Sequence, residues 1–185
     1  MVPEKLSKRS KTSFLNSTRV KYPRDTFFKN GCASPFRFKH PAMDLTFPKH
    51  LYYEPEHHVW CLLESDQKIR LGIDPLGISS LGELAYLSLN PLESQIRKGQ
   101  AMGVLEAAKM TGELIAPLSG KIIERNREAL EDPYQVNQDP YGKGWLCVIE
   151  CEDWETESKH LITGEAVEAW SEKEMERYRS QGWID

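Results

Sequence analysis

The chain has 185 residues, 39% of them hydrophobic and 10% aromatic, which is enough to bury the core of about one domain. Its net charge of −4 argues against a protein made chiefly to bind nucleic acid. No apolar run approaches the roughly 18 residues of a membrane-spanning helix. Four cysteines are too few for a disulfide scaffold, so we interpret them as reduced thiols in a cytoplasmic protein.

Charge divides the chain into two unequal parts. Residues 1–50 carry a net charge of +8, whereas residues 51–185 carry −12. The first part is rich in Ser, Thr and Pro and has no apolar periodicity before Phe27. We interpret residues 1–50 as an extended, weakly ordered basic arm on an acidic body. An organelle transit peptide is a less favoured alternative, because no Arg-rich amphipathic helix follows Pro3 and Glu4.

The pattern after residue 50 predicts short strands separated by turns. A polar turn at residues 64–67 joins predicted strands at residues 58–63 and 68–73 into a hairpin. Asp74 followed by Pro75 is typical of a helix start, and predicts a short helix through Leu81. Further strands are predicted at residues 83–89, 101–107, 113–115, 121–124 and 145–150, the fourth of them after a tight turn at Ser119 and Gly120.

Many short strands with no long helical crossover predict a compact β-sandwich or barrel. The end of the chain differs, since residues 165–180 have a helical pattern that ends before Gly182. The side chains on one side of this helix are Val167, Trp170, Glu174 and Tyr178. We therefore predict an arm at residues 1–50, a β domain at residues 51–163, and a C-terminal helix and tail at residues 164–185.

One lysine lies between two apolar, strand-like segments. The bend that joins them is built of small residues, and Lys109 is its single cation. This pattern presents one amine at the tip of a hairpin, where a modifying enzyme can reach it. A lysine in an exposed turn is more often only a solvated charge, so the spacing alone does not establish a function.

Three segments together indicate a family. Glu106-Ala107-Ala108-Lys109 and its flanks resemble the lipoylation hairpin of the glycine-cleavage H-protein family, although biotin-carrier domains have a related Glu-Ala-Met-Lys-Met hairpin. His58-Val59-Trp60 resembles the His-Glu-Trp segment of that family. Residues 137–145 resemble its Asn-x-Asp-Pro-Tyr-Gly-x-Gly-Trp signature. Biotin-carrier domains have neither of the last two segments, so lipoyl is favoured over biotinyl. The resemblance covers residues 51–170.

The resemblance implies a lipoyl/biotinyl-type β-sandwich, or barrel-sandwich hybrid, that carries lipoate in amide linkage to Lys109. It implies a carrier rather than an enzyme, loaded by a lipoate-protein ligase or a lipoyl synthase system. Glu106 is either an ordinary exposed acid or the charge by which a lipoate ligase recognises the tip. The resemblance places His58 near the cavity that shelters the cofactor arm. We predict no metal site, because Cys147 and Cys151 share a strand face without a second close pair or nearby His.

Two branches of this family differ in what they carry. Asn30-Gly31-Cys32 ahead of a His-x-Trp strand resembles the H-protein-like lipoate-binding proteins of bacterial sulfur oxidation, which serve a heterodisulfide-reductase-like complex. We take that branch as the main prediction. The alternative is glycine cleavage, in which the carrier moves an aminomethyl group between a decarboxylase, an aminomethyltransferase and dihydrolipoyl dehydrogenase. An unmodified interaction module and a biotinyl carrier are further alternatives, and Cys32 has no firm role.

Overall fold

The computed structural model of the protein describes residues 45–65 and 67–184. Most of the predicted arm, with its Asn30-Gly31-Cys32 segment, lies outside the described residues. The division into three parts therefore stays a prediction.

Nine strands and five short or medium helices make up the described chain. The strands are β1 (Tyr52–Glu54), β2 (Val59–Ser65), β3 (Lys68–Ile73), β4 (Leu84–Leu89), β5 (Gln95–Ile96), β6 (Ala101–Ala107), β7 (Thr111–Ile115), β8 (Gly120–Arg125) and β9 (Cys147–Glu150). The helices are α1 (Pro75–Leu81), α2 (Arg127–Glu131), α3 (Tyr134–Gln138), α4 (Trp154–Glu157) and α5 (Ala166–Ser180), with a 3-10 turn at Ser158–His160. No helix in the described ranges is both long and apolar enough to cross a bilayer.

The strands form two antiparallel sheets. One has the order β1-β2-β3-β9-β8-β5 and the other the order β4-β6-β7. A single buried cluster takes side chains from both sheets, among them Ile69 and Leu71 from the first and Leu87 and Leu105 from the second. The two sheets therefore pack face to face over a common core, which confirms the prediction of a mainly β sandwich with a C-terminal helix.

The strongest sequence signals coincide with formed elements. In the β2–β3 hairpin Cys61 lies opposite Leu71, and both are fully buried. Asp74 caps α1, because its carboxylate accepts a hydrogen bond from the Gly77 N–H at 2.9 Å. Pro75 is the first residue of that helix, where its missing N–H costs nothing.

A second apolar cluster lies between α5 and the first two strands. Its buried members are Leu51, Tyr53, Trp60 and Val167, and Trp170 packs against them half-buried. Lys49 forms ion pairs with exposed Glu165 and Glu168 at the start of α5. The hydrogen bond from Lys49 lowers the pKa of the Glu168 carboxyl. The predicted face of the C-terminal helix is thus the one that packs.

Gly72 offers a test of this packing. A Cβ at Gly72 would lie 2.4 Å from ring atoms of Trp60, which is 1% exposed and has no room to move. We expect Gly72→Ala to lower the free energy of unfolding by about 1–3 kcal/mol in urea denaturation. The control is Gly112→Ala, where the Cβ meets only the flexible end of Met110 at 3.4 Å. Equal losses in the two variants would contradict this account.

Candidate functional site

Lys109 lies at a two-residue tip between β6 and β7. Ala107 and Met110 close the tip by exchanging backbone hydrogen bonds, the Ala107 N–H donating to the Met110 carbonyl at 2.8 Å and the Met110 N–H donating back at 3.3 Å. Ala108, Lys109 and Met110 are exposed. The structure therefore presents the Lys109 amine to solvent, as the sequence pattern predicts.

The backbone of the tip is anchored to the end of α1. The Ala108 N–H donates to the Glu83 carbonyl at 2.9 Å, and the Lys109 N–H donates to the Leu81 carbonyl at 3.1 Å. Both N–H groups of the tip are thus satisfied by the segment at residues 81–83. This double anchor holds the tip against the body of the protein, so the position of Lys109 does not depend on the turn alone.

The Lys109 side chain extends along the same helix end. Its Nζ donates a hydrogen bond to the Ser79 carbonyl at 2.8 Å. The lysine stem passes over Gly82, which has φ +84° and whose added Cβ would lie 3.5 Å from Lys109 Cγ. The positive charge lies at the C-terminal end of α1, where the last carbonyls of a helix favour a cation. Among the described residues, no carboxylate forms an ion pair with Lys109.

Asn137 holds the segment that anchors the tip. From α3, its side-chain amide donates to the Gly82 carbonyl at 2.9 Å and accepts from the Leu84 N–H at 2.9 Å. Asn137 is the first residue of the signature at residues 137–145. It contacts the segment that anchors Lys109, although Asn137 and Lys109 are far apart in sequence. Sequence reasoning missed this role. The signature itself was the available signal, but nothing in it shows what its asparagine contacts.

The rest of the signature forms a braced turn. The Asp139 carboxylate accepts from the Gly142 and Lys143 N–H groups at 3.0 and 2.9 Å. The Trp60 indole N–H donates to the Pro140 carbonyl at 3.0 Å, and the Tyr141 hydroxyl donates to a carbonyl at residue 46. These bonds tie the turn to β2 and to the start of the described chain. They fix the end of α3, and with it Asn137.

His58 lies at the other end of α1. Its ring is 4% exposed and its Nδ1 lies 3.0 Å from the Asp74 carboxylate. Its Nε2 has no hydrogen bond and lies 4.0 Å from a Glu174 carboxylate oxygen, with the Trp170 and Tyr178 rings beside it. The backbone of His58 has φ +56°, an uncommon conformation outside glycine. His58 thus joins α1 to α5.

The structure brings Glu106 close to the tip and leaves His58 away from it. Glu106 is exposed on β6, three residues before Lys109, with Tyr86 and Thr111 as its cross-strand neighbours. Its carboxylate has no hydrogen bond or ion pair among the described residues. His58 contacts the N-cap of α1, whereas Lys109 contacts its last turn. His58 and Lys109 thus contact opposite ends of the same helix.

One group of three possible metal ligands comes together in the described ranges. Glu54, Glu56 and His57 place one ligand atom each within 4.8 Å of the others. The Glu54 carboxylate already accepts from the His57 N–H at 2.7 Å and lies 3.1 Å from the His57 Nδ1. Through these bonds the Glu54 carboxylate caps the turn, and this capping explains why the three side chains lie together. Cys61, Cys147 and Cys151 are buried in the core. Burial raises the pKa of the Cys147 thiol to about 12.

Comparison with known proteins gives a consistent result. The family model described as glycine cleavage H-protein matches residues 51–174. A glycine cleavage system H protein from Carboxydothermus hydrogenoformans is 38% identical over 129 residues, covering 70% of this chain and 97% of that protein. One from Geobacillus is 38% identical over 65% of this chain and 93% of its own length. The crystal structure of a glycine cleavage system H protein from Mycobacterium marinum has a TM-score of 0.59 at 28% identity, covering 69% and 98% of the two chains.

The Asn137 contact predicts a local effect of substitution. In Asn137→Asp the side chain can still accept from the Leu84 N–H, but it loses the donor to the Gly82 carbonyl and sets a carboxylate against it. We expect amide hydrogen exchange at Ala108 and Lys109 to accelerate by roughly tenfold.

The control is Asn90→Asp, which alters a side chain that donates to the Ala101 carbonyl at the other end of the β4–β6 ladder. It should leave exchange at the tip unchanged. Unchanged exchange in Asn137→Asp would show that the tip does not need this clamp.

Proposed function

Because this chain belongs to the glycine cleavage H-protein family, whose members carry lipoate covalently on a lysine, we propose that Lys109 is its lipoylation site. We propose further that the lipoylated chain carries the aminomethyl group of glycine cleavage between enzymes. Members of this family serve as lipoyl carriers rather than as catalysts. The observation that carries the proposal is the exposed Lys109 amine at an anchored hairpin tip.

The surroundings of Lys109 suit amide formation. When a ligase attaches lipoate, the Lys109 ammonium first gives up a proton. The neutral Nζ then bonds to the carboxyl carbon of lipoyl adenylate, the mixed anhydride made from lipoate and ATP. AMP leaves with the electron pair of the broken C–O bond, and the nitrogen loses a second proton. The product has no positive charge and one N–H. The Ser79 carbonyl, which now accepts from the ammonium, can accept from that N–H. Residues 81–83 hold the tip backbone throughout, because their carbonyls bind backbone N–H groups rather than the amine.

Attachment to this tip provides the carrier function. The lipoyl group supplies a dithiolane whose disulfide opens reductively while one sulfur accepts the carried fragment. The anchored tip raises the effective concentration of that group at each docked partner. The net charge of −12 on residues 51–185 supports fast, weak association with basic surfaces. The proposed partners are the decarboxylase, the aminomethyltransferase and dihydrolipoyl dehydrogenase, with a lipoate-protein ligase or lipoyl synthase system for loading.

Glu106 and His58 have proposed supporting roles. Exposed beside Lys109 and without an ion partner in the described chain, Glu106 is suited to recognition by the attaching enzyme. His58 is suited to positioning, because its contact with the cap of α1 steadies the helix whose other end supports the tip. A direct role for His58 in sheltering the cofactor arm stays a prediction.

The relatives favour glycine cleavage over sulfur oxidation. Each relative described above is named a glycine cleavage H protein, whereas none is named for the sulfur pathway. The Asn30-Gly31-Cys32 segment that suggested the sulfur branch lies outside the described residues. Loading by a heterodisulfide-reductase-like complex is therefore kept as an outcome of the experiment below.

Lipoylation of Lys109 can be tested by intact mass. Incubated with a lipoate-protein ligase, lipoate and ATP, the wild-type chain should gain the mass of one lipoyl group. Lys109→Arg should gain none, because an arginine cannot form this amide under these conditions. The matched control Lys98→Arg changes another exposed lysine, in the loop between β5 and β6, and this variant should be lipoylated like the wild type. Modification of Lys109→Arg would overturn the assignment.

The carried group can be tested with the lipoylated chain. Supplied with glycine, tetrahydrofolate, NAD+ and the three partner enzymes, the lipoylated wild type should support NADH formation. We expect Lys109→Arg to lower that rate by at least about a hundredfold, because the tethered acceptor is lost. If the lipoylated wild type does not accept the aminomethyl group from glycine but is reduced by a heterodisulfide-reductase-like complex, the sulfur-oxidation prediction is correct and the proposed cargo is wrong.

A further inference from the structure

The outer face of the three-stranded sheet is exposed beside Lys109. We call this surface the tip face and define it by Tyr86, Val104, Glu106 and Glu113. Tyr86 lies opposite Glu106 and Val104 lies opposite Glu113, so these four side chains are on one side of the sheet. Its apolar members, Tyr86 and Val104, are 50% and 43% exposed. Tyr86 and Val104 give this face an exposed apolar centre, as a docking surface has.

The charged side chains of the tip face are both acidic. The strands β4, β6 and β7 contain no Lys or Arg. Glu106 and Glu113 flank Val104, and neither has an ion pair among the described residues. Lys109 at the tip therefore borders an apolar patch with acidic side chains around it. A complementary surface has an apolar centre and lysine or arginine side chains at its rim.

The short length of the unmodified Lys109 side chain indicates which partner must lie against this face. Enzymes that act on the attached group meet the far end of a long flexible arm. An enzyme that acylates the amine has only the lysine side chain as a spacer, and residues 81–83 hold both N–H groups of the tip against the body of the protein. Its active site must therefore come to the tip, and its surface must lie against the strands beside it.

We propose that the tip face is the docking surface for the enzyme that attaches lipoate, and that this enzyme meets it with an apolar patch rimmed by basic side chains. The proposal rests on the function proposed above for Lys109. A second copy of the chain is a poorer occupant, because two tip faces would set Glu106 and Glu113 against the same acids. The basic residues 1–44 of the chain itself are the competing occupant.

Steady-state lipoylation kinetics of the full-length chain test the proposal. With a lipoate-protein ligase, lipoate and ATP, KM for the protein should rise by about tenfold in Glu113→Lys and by about fivefold in Tyr86→Ala. The kcat should stay within about twofold, because neither side chain touches the amine. Glu113→Gln should fall between wild type and Glu113→Lys. The control Glu152→Lys makes the same charge change at an exposed site after β9, and should leave KM unchanged.

The outcomes separate this proposal from the assignment of Lys109. No mass gain in the wild type would overturn the lipoylation assignment itself. A lipoylated wild type with unchanged KM in Glu113→Lys and Tyr86→Ala would overturn only the docking surface. A lower KM in Glu113→Lys would also overturn it, because releasing the chain's own basic arm from the face would expose Lys109. A wild-type dimer that dissociates in Tyr86→Ala would also overturn the docking surface, because a second copy of the chain would then occupy the tip face.

Discussion

Two backbone hydrogen bonds hold the candidate site together, from the Ala108 and Lys109 N–H groups to carbonyls at the end of α1. A lysine on a free hairpin tip would sample many positions, and an enzyme would have to order it on binding. With both N–H groups satisfied by residues 81–83, most of that ordering is complete before any partner arrives. The amine stays exposed while its backbone is hydrogen-bonded to the body of the protein.

The rest of the site can be understood as support for this anchor. Helix α1 is capped by Asp74, which also contacts His58 and so connects the helix to α5. At the other end of α1, the Asn137 amide fixes Gly82 and Leu84, and the braced turn at residues 139–143 fixes Asn137. Segments far apart in sequence thereby converge on one short helix. This convergence explains how residues far from Lys109 in the sequence support its position.

Some of this architecture follows from local pattern. The β2–β3 hairpin, α1 and α5 were predictable because period-two alternation, an Asp-Pro start and a helical stripe are each long or specific enough to read. The strands β1 and β5 were missed, since two or three residues cannot show a period. The helices α2 and α3 were missed as well, at five residues each, because they are defined by a capping asparagine and by packing on β4 rather than by an apolar face of their own.

The sequence by itself determined the class of fold, the family resemblance and the lysine to examine, because those depend on residue types and short spacings. The tertiary structure alone decided what surrounds that lysine. Hydrogen bonds between residues tens of positions apart, such as Asn137 to Gly82 and Lys109 to Ser79, have no trace in local periodicity. The tip face is likewise visible only after β4, β6 and β7 align, because the cross-strand register sets which side chains share a surface.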